Sequence, residues 1–204
     1  NRFAPSDIDE ILAICRLLQG LPLAIEMAAS WTGVYTCSEI LNTVTHTSLQ
    51  LTSRYQDDGE RHRSLQAVFE ATWTRLSALE QLALMRLAIF HGSISIEAAL
   101  RVAAADDNIL ALLEEKMLVN RQNDNRLVLH EMIHQLALQK LVQNEAEWHY
   151  ATNVHADYFI TLFSTSAQHI KYGDAREAIL HISCELENIA AAWKTLLEER
   201  RTDW

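Results

Sequence analysis

Five consecutive residues, His130-Glu131-Met132-Ile133-His134, have the types and spacing of the ligand helix of a zinc hydrolase. Two imidazoles four apart on a helix face the same way and can share one metal ion, with the carboxylate between them as general base. That chemistry needs both histidines inside an established helix and a third protein ligand from elsewhere. Here His130 directly follows the strand-like run Arg126-Leu127-Val128-Leu129, so it is placed to open the helix. Glu145, His149 and His155 are the nearest candidates for a third ligand, and none sits in a ligand motif. A zinc site of His130, Glu131 and His134 is therefore kept as an alternative, and no metal is expected.

A second stretch, Gly20-Leu21-Pro22-Leu23-Ala24, stands where one amphipathic helix stops and another starts. A glycine can end a helix by taking the left-handed conformation that costs other residues a Cβ clash. A proline fits the first turn of the next helix, where its missing N–H would have had no partner. Read locally, this is a tight helix–helix corner. The chain has no Gly-x-x-x-x-Gly-Lys-Ser/Thr loop to cradle a triphosphate and no Gly-x-Ser-x-Gly nucleophile elbow. Its three cysteines, Cys15, Cys37 and Cys184, are far apart and form no Cys-x-x-Cys pair, so they read as small apolar residues. Catalysis by this stretch of protein alone is not expected.

The elements that must position these residues are helical. The 204 residues include only five Gly and two Pro, and 49% are apolar, a composition suited to a well-packed, mainly α protein. Ile8, Ile11, Leu12, Cys15 and Leu18 form one helical stripe, with Ser6 placed to cap its start. A second helix runs from about Pro22 to Trp31, and Ser38 reads as the cap of a third that ends near Val44. These make a helical subdomain over 1–46. Residues 47–63 are polar around Tyr55-Gln56-Asp57-Asp58-Gly59-Glu60 and read as a linker. Leu65, Val68, Phe69, Thr72, Trp73 and Leu76 mark the next helix face, and Ser77-Ala78-Leu79-Glu80 is a capping box. A helix to about Phe90, ended by Gly92, precedes shorter ones near Ile96–Ala104 and Asn108–Lys116. The period then changes. Met117–Arg121 and Arg126–Leu129 flank Gln122-Asn123-Asp124-Asn125, the signature of a β-hairpin. Three helices and a hairpin, over 64–130, have the order of a winged helix. From 131 to 204 the chain reads as long helices, lined by Ile133, Leu136, Ala137 and Leu141, then by Trp148 to Leu162, then by Leu186, Ile189, Ala190, Trp193 and Leu197. The last two of these could open a helical-repeat array.

Charge narrows the partners. A formal net charge of −10 repels phosphate backbones, so nucleic acid is not expected as a partner of this stretch. No apolar run reaches the length of about 18 residues that a bilayer requires, and no charged-then-apolar leader opens the chain, so a cytoplasmic location without membrane contact is expected. The abrupt start at Asn1 reads as a piece of something longer.

The Gly20-Leu21-Pro22-Leu23 corner and, after the hairpin, Leu129-His130-Glu131 at a helix start occur in an order that resembles the regulatory half of the signal-transducing ATPases with numerous domains. That NB-ARC-like class includes plant disease-resistance proteins and large bacterial regulators. Arg61-His62-Arg63-Ser64-Leu65, followed by Trp73, Leu76, Leu87, Ala88 and Phe90, is similar to the winged-helix entry of bacterial members. Glu185-Leu186-Glu187-Asn188-Ile189-Ala190-Ala191-Ala192-Trp193 resembles the helix that precedes their tetratricopeptide arrays. The resemblance implies that Gly20, Pro22 and Leu23 lie beside the adenine of bound nucleotide, with the proline ring on the base. It implies that His130 reaches the β-phosphate of ADP, with Leu129 and Glu131 in place of the family's Met and Asp. It further implies ADP or ATP with Mg in a longer parent protein, none in this stretch alone. The partners would be the protein's own upstream ATPase core and downstream helical repeats. A winged-helix DNA-binding regulator is a further alternative.

Overall fold

The computed structural model describes residues 7–52, 60–122, 125–172 and 175–198. The fold is mainly α, with eleven α-helices and three short strands among the described residues. The chain divides into two compact units, Asn1–Gln81 with Leu110–Asn120, and Leu82–Ile109 with Arg121–Trp204.

The first unit begins with α1 (Asp7–Leu17), α2 (Pro22–Ser30), a 3-10 turn (Trp31–Gly33), α3 (Cys37–Thr52) and α4 (Glu60–Trp73). Ile14, Leu18, Ala24, Met27, Trp31, Ile40, Val44, Leu65, Val68 and Phe69 form its buried apolar core. The inward stripe of α1 is rotated from the one expected: Ile14 and Leu18 are buried, whereas Ile8 and Leu12 are exposed. Apolar residues lie on two adjoining faces of this helix, and periodicity cannot choose between them. The expected cap at Ser6 lies outside the described residues. α3 starts one residue before Ser38 and runs on to Thr52. Its cap is Thr36, whose backbone N–H donates to Glu39 Oε2 at 2.8 Å while Glu39 N–H donates to Thr36 Oγ1 at 3.3 Å. This second capping box, Thr36 to Glu39, sits two residues upstream of the expected cap. Both ends of the polar 47–63 stretch are therefore helical, and 53–59 lie outside the described residues. Arg75 fastens this unit, its guanidinium over the rings of Trp31 at 4.5 Å and Tyr35 at 5.0 Å and donating to Thr43 Oγ1 at 3.3 Å and to the Ala71 carbonyl.

α5 (Ala78–Leu87) opens with the expected capping box: Ser77 N–H donates to Glu80 Oε2 at 2.8 Å, and Glu80 N–H to Ser77 Oγ at 3.3 Å. α6 (Ile96–Ala103) is capped by Ser95, which accepts the Ala98 N–H at 3.1 Å, and α7 spans Asp107–Glu115. The hairpin is present, as β2 (Asn120–Arg121) and β3 (Arg126–Val128), with the Gln122 N–H donating to the Arg126 carbonyl at 2.7 Å. Its tip at Asn123-Asp124 lies outside the described residues. A third strand, β1 (Ile94–Ser95), was not expected: it pairs antiparallel with β3, Ile94 opposite Leu127, and the sheet order is β1-β3-β2. Two residues carry no alternation, so this strand leaves no trace in the pattern.

The second unit is built around α9 (Glu145–Tyr172), a helix of 28 residues against which α6, α8 (Glu131–Val142), α10 (Ala175–Cys184) and α11 (Leu186–Glu198) pack. Ile133, Leu136, Ala137 and Leu141 are the buried face of α8, as their spacing predicts. On α11 the buried face is Asn188, Ile189, Ala192 and Leu196, so the expected lining residues Leu186, Trp193 and Leu197 lie exposed.

Candidate functional site

The Gly20 corner belongs to the first unit. α1 ends with Gln19 N–H donating to the Arg16 carbonyl and Gly20 N–H to the Cys15 carbonyl, both at 3.0 Å. This is a double-bonded helix end, and its left-handed residue is Gln19 (φ 57°), with Gly20 left-handed beside it (φ 66°). The glycine expected to end the helix is thus one residue further on. Leu21 then takes extended backbone as the N-cap of α2, without a side-chain hydrogen bond, and Pro22 occupies the first helical position. Pro22 is exposed, Leu23 is half-buried, and a Cβ built on Gly20 meets no atom within 4 Å. The corner therefore offers an open glycine and an exposed proline ring on hydrogen-bonded backbone.

His130, Glu131 and His134 belong to the second unit. His130 is the N-cap of α8, with extended backbone (φ −60°, ψ 139°), and its Nδ1 accepts the Met132 N–H at 3.3 Å. In the neutral ring this leaves the proton on Nε2, an exposed donor. Glu131 accepts from Gln135 Nε2 at 2.7 Å along the helix. His134, half-buried, donates from Nε2 to the Phe90 carbonyl at 3.1 Å, and a nitrogen that carries a proton cannot ligate a metal. The two histidines are therefore engaged separately: one caps α8 through its Nδ1, and the other donates to the backbone at Phe90. His149 pairs loosely with Glu145 at 3.9 Å on the surface of α9. His155 is buried between Phe90 and Phe159, ring centroids 5.3 and 4.6 Å away. Among the described residues no group of three or more His, Cys, Asp and Glu is arranged to hold a metal ion.

Sequence reasoning missed a buried polar network in the same unit. Asn188 Oδ1 accepts the His91 N–H at 2.8 Å, and its Nδ2 donates to the His91 carbonyl at 3.2 Å and to Glu185 Oε2 at 3.1 Å. His155 Nε2 lies 3.4 Å from the same Asn188 Oδ1. The other oxygen of Glu185 forms an ion pair with Arg126 Nη2 at 2.7 Å, and Arg126 also donates to the hydroxyl and the carbonyl of Ser93, each at 2.7 Å. Glu185 and Asn188 are each 1% exposed. Burial pushes the His155 imidazolium down to a pKa of about 4; the Asn188 contact works against that shift and nearby His91 adds to it. The one signal available was two polar residues three apart, Glu185 just before α11 and Asn188 on its face with Ile189 and Ala192.

α7, the helix that precedes the hairpin, carries Asp107, Glu114 and Glu115 and no Lys or Arg. The ammonium of the following Lys116 is bound to Glu80. Among the described residues no helix is long and apolar enough to cross a membrane.

Over 191 residues the chain is 30% identical to proteins of Mycobacterium bovis and of two strains of Mycobacterium tuberculosis, each named "Putative HTH-type transcriptional regulator". The match covers 88% of this chain and 21% of theirs, so the chain spans about a fifth of the length of the curated relatives it matches. No protein-family model matches the chain, and no solved structure does.

Proposed function

We propose that this chain is a regulatory, nucleotide-sensing part of a multidomain signalling ATPase that controls transcription. The observation that carries the reading is His130. It caps α8 directly after the hairpin, its Nδ1 is engaged by its own helix, and its exposed Nε2–H is free to meet a phosphate oxygen. A donor held this way forms a charge-assisted hydrogen bond with little loss of side-chain freedom. The exposed Pro22 ring, beside the open Gly20, is accessible to a purine base. The names of the mycobacterial relatives, and the small share of their length that the chain spans, agree with a regulator of several domains. In this reading ADP holds the resting state through contacts that the active state lacks. The chain binds its own ATPase core and helical repeats and works in the cytoplasm.

Losing a hydrogen bond to a charged group costs about 1.5–3 kcal/mol, roughly a ten- to hundredfold shift between two balanced states. His130→Ala in the longer protein should therefore speed ADP release and raise basal output. Unchanged ADP release together with unchanged output would reduce His130 to a helix cap. The DNA-reading alternative has less support, because α7 presents carboxylates where a recognition helix needs cations.

A further inference from the structure

α11 is held in two chemically different ways. Along its length Ile189, Ala192 and Leu196 are buried, and the helix packs on α9. At its start, Asn188 grips both backbone groups of His91, and Glu185 at the α10–α11 junction binds Arg126 of β3.

We propose that the Glu185–Asn188 end of α11 is a releasable latch on the hairpin: β3 and the loop at 91–93 can leave α11 as a block while α11 stays packed on α9. The chemistry of the contact favours two discrete states. Exchanging intramolecular hydrogen bonds for bonds to water costs little net free energy, whereas stripping apolar residues from α9 costs the full burial of each side chain. Removing only one partner of the Arg126–Glu185 pair would leave a carboxylate that is 1% exposed without its cation, so half-open arrangements are penalised. Full separation returns water to both ions. His91 and Gly92 are already exposed, and Gly92 sits at φ 76°, a conformation at which a joint can turn without a Cβ penalty. The Phe90 carbonyl that accepts from His134 carries any movement of the loop to the first turn of α8. Release of the latch is in this way read out at the hairpin and at the first turn of the helix that His130 caps. This inference stands apart from the nucleotide reading, since no ligand takes part in it.

Amide exchange of the whole chain, followed by NMR, tests it. The His91 amide donates to Asn188 Oδ1 and reports latch opening directly. In the unaltered protein it should exchange through an opening that depends less on denaturant than the opening of the α9 amides does. Asn188→Leu, which cannot pair with backbone, should speed exchange at His91 by about tenfold or more while the amides of α9 and α11 change little. Glu185→Gln keeps the shape and removes the charge, and it should produce the same pattern more weakly if Asn188→Leu does not fold. Ile189→Ala, on the apolar face, should instead loosen α9 and α11 together. His91 exchange that tracks α9 and α11 in every variant would mean that the unit opens only as a whole, and it would overturn the latch.

Discussion

Gln19 holds a left-handed conformation that an L-residue pays about 1–2 kcal/mol to adopt, and the glycine made for it sits next door. Gln19→Gly should therefore raise the unfolding free energy by about 0.5–1 kcal/mol. Gly20→Ala, with open space around its Cβ, should lower it by about 1 kcal/mol through backbone strain alone. Urea titration of the two variants checks both signs, and a loss in the first would show that the Gln19 side chain matters more than its backbone. His155 gives a pH effect of definite sign. Its folded pKa of about 4 lies below the ordinary 6.5, so between those values the unfolded chain binds a proton that the folded chain refuses. Stability is thus fully present above pH 6.5 and is lost as the pH falls toward 4, by about 3 kcal/mol over the window. His155→Gln should flatten that part of the stability profile, and an unaltered acid slope in the variant would assign the loss to other groups. The roles of Gly20, Pro22 and His130 as corner, first helical residue and helix start were legible in the sequence because each depends on neighbours within a few residues. Asn188 was not, because its partner His91 lies 97 residues away and polar pairing leaves no periodic mark.

Local sealing made the start of α5 legible, whereas at α3 Ser38 stood in the way of the true box, Thr36 to Glu39. The Ser77–Glu80 box does more than cap α5, since Glu80 is buried and also receives the ammonium of Lys116. Burial works to raise the Glu80 pKa, but the Lys116 and Ser77 bonds outweigh it and hold the carboxyl below its usual range. Glu80→Ala should cost about 2–3 kcal/mol, because it removes the cap and the partner of Lys116 together, and Ser77→Ala about 1 kcal/mol. Denaturant midpoints of the two variants give the comparison, and equal losses would mean that the Lys116 pair contributes nothing. The buried face of α8 was legible to the residue, since its apolar positions follow one 3.6-residue stripe. α11 was misread because its inward face mixes Asn188 with Ile189, Ala192 and Leu196, leaving Leu186, Trp193 and Leu197 as an exposed apolar stripe that looks like a core face.

At the scale of the molecule, the helical class follows from composition and period, but the division into two units does not. The segment Leu110–Asn120 joins the first unit although the residues on both sides of it belong to the second, and no local pattern announces such a return. The sign of the surface was legible from the start, and it leads to the last prediction. Binding to duplex DNA without sequence preference comes from cations that displace counterions along the phosphate backbone. The chain carries a net charge of −10, α7 holds Asp107, Glu114 and Glu115 among its carboxylates, and the nearest lysine, Lys116, spends its ammonium on Glu80. Fluorescence anisotropy of labelled duplex DNA should therefore show binding weaker than about 100 µM at roughly 50 mM salt. Glu80→Gln should leave that result unchanged, since one lysine with a weakened partner cannot offset the surrounding carboxylates. Micromolar binding that falls steeply with salt would require a cationic surface formed by parts of the chain that the net charge conceals, and it would move the reading from nucleotide-sensing regulator to DNA reader.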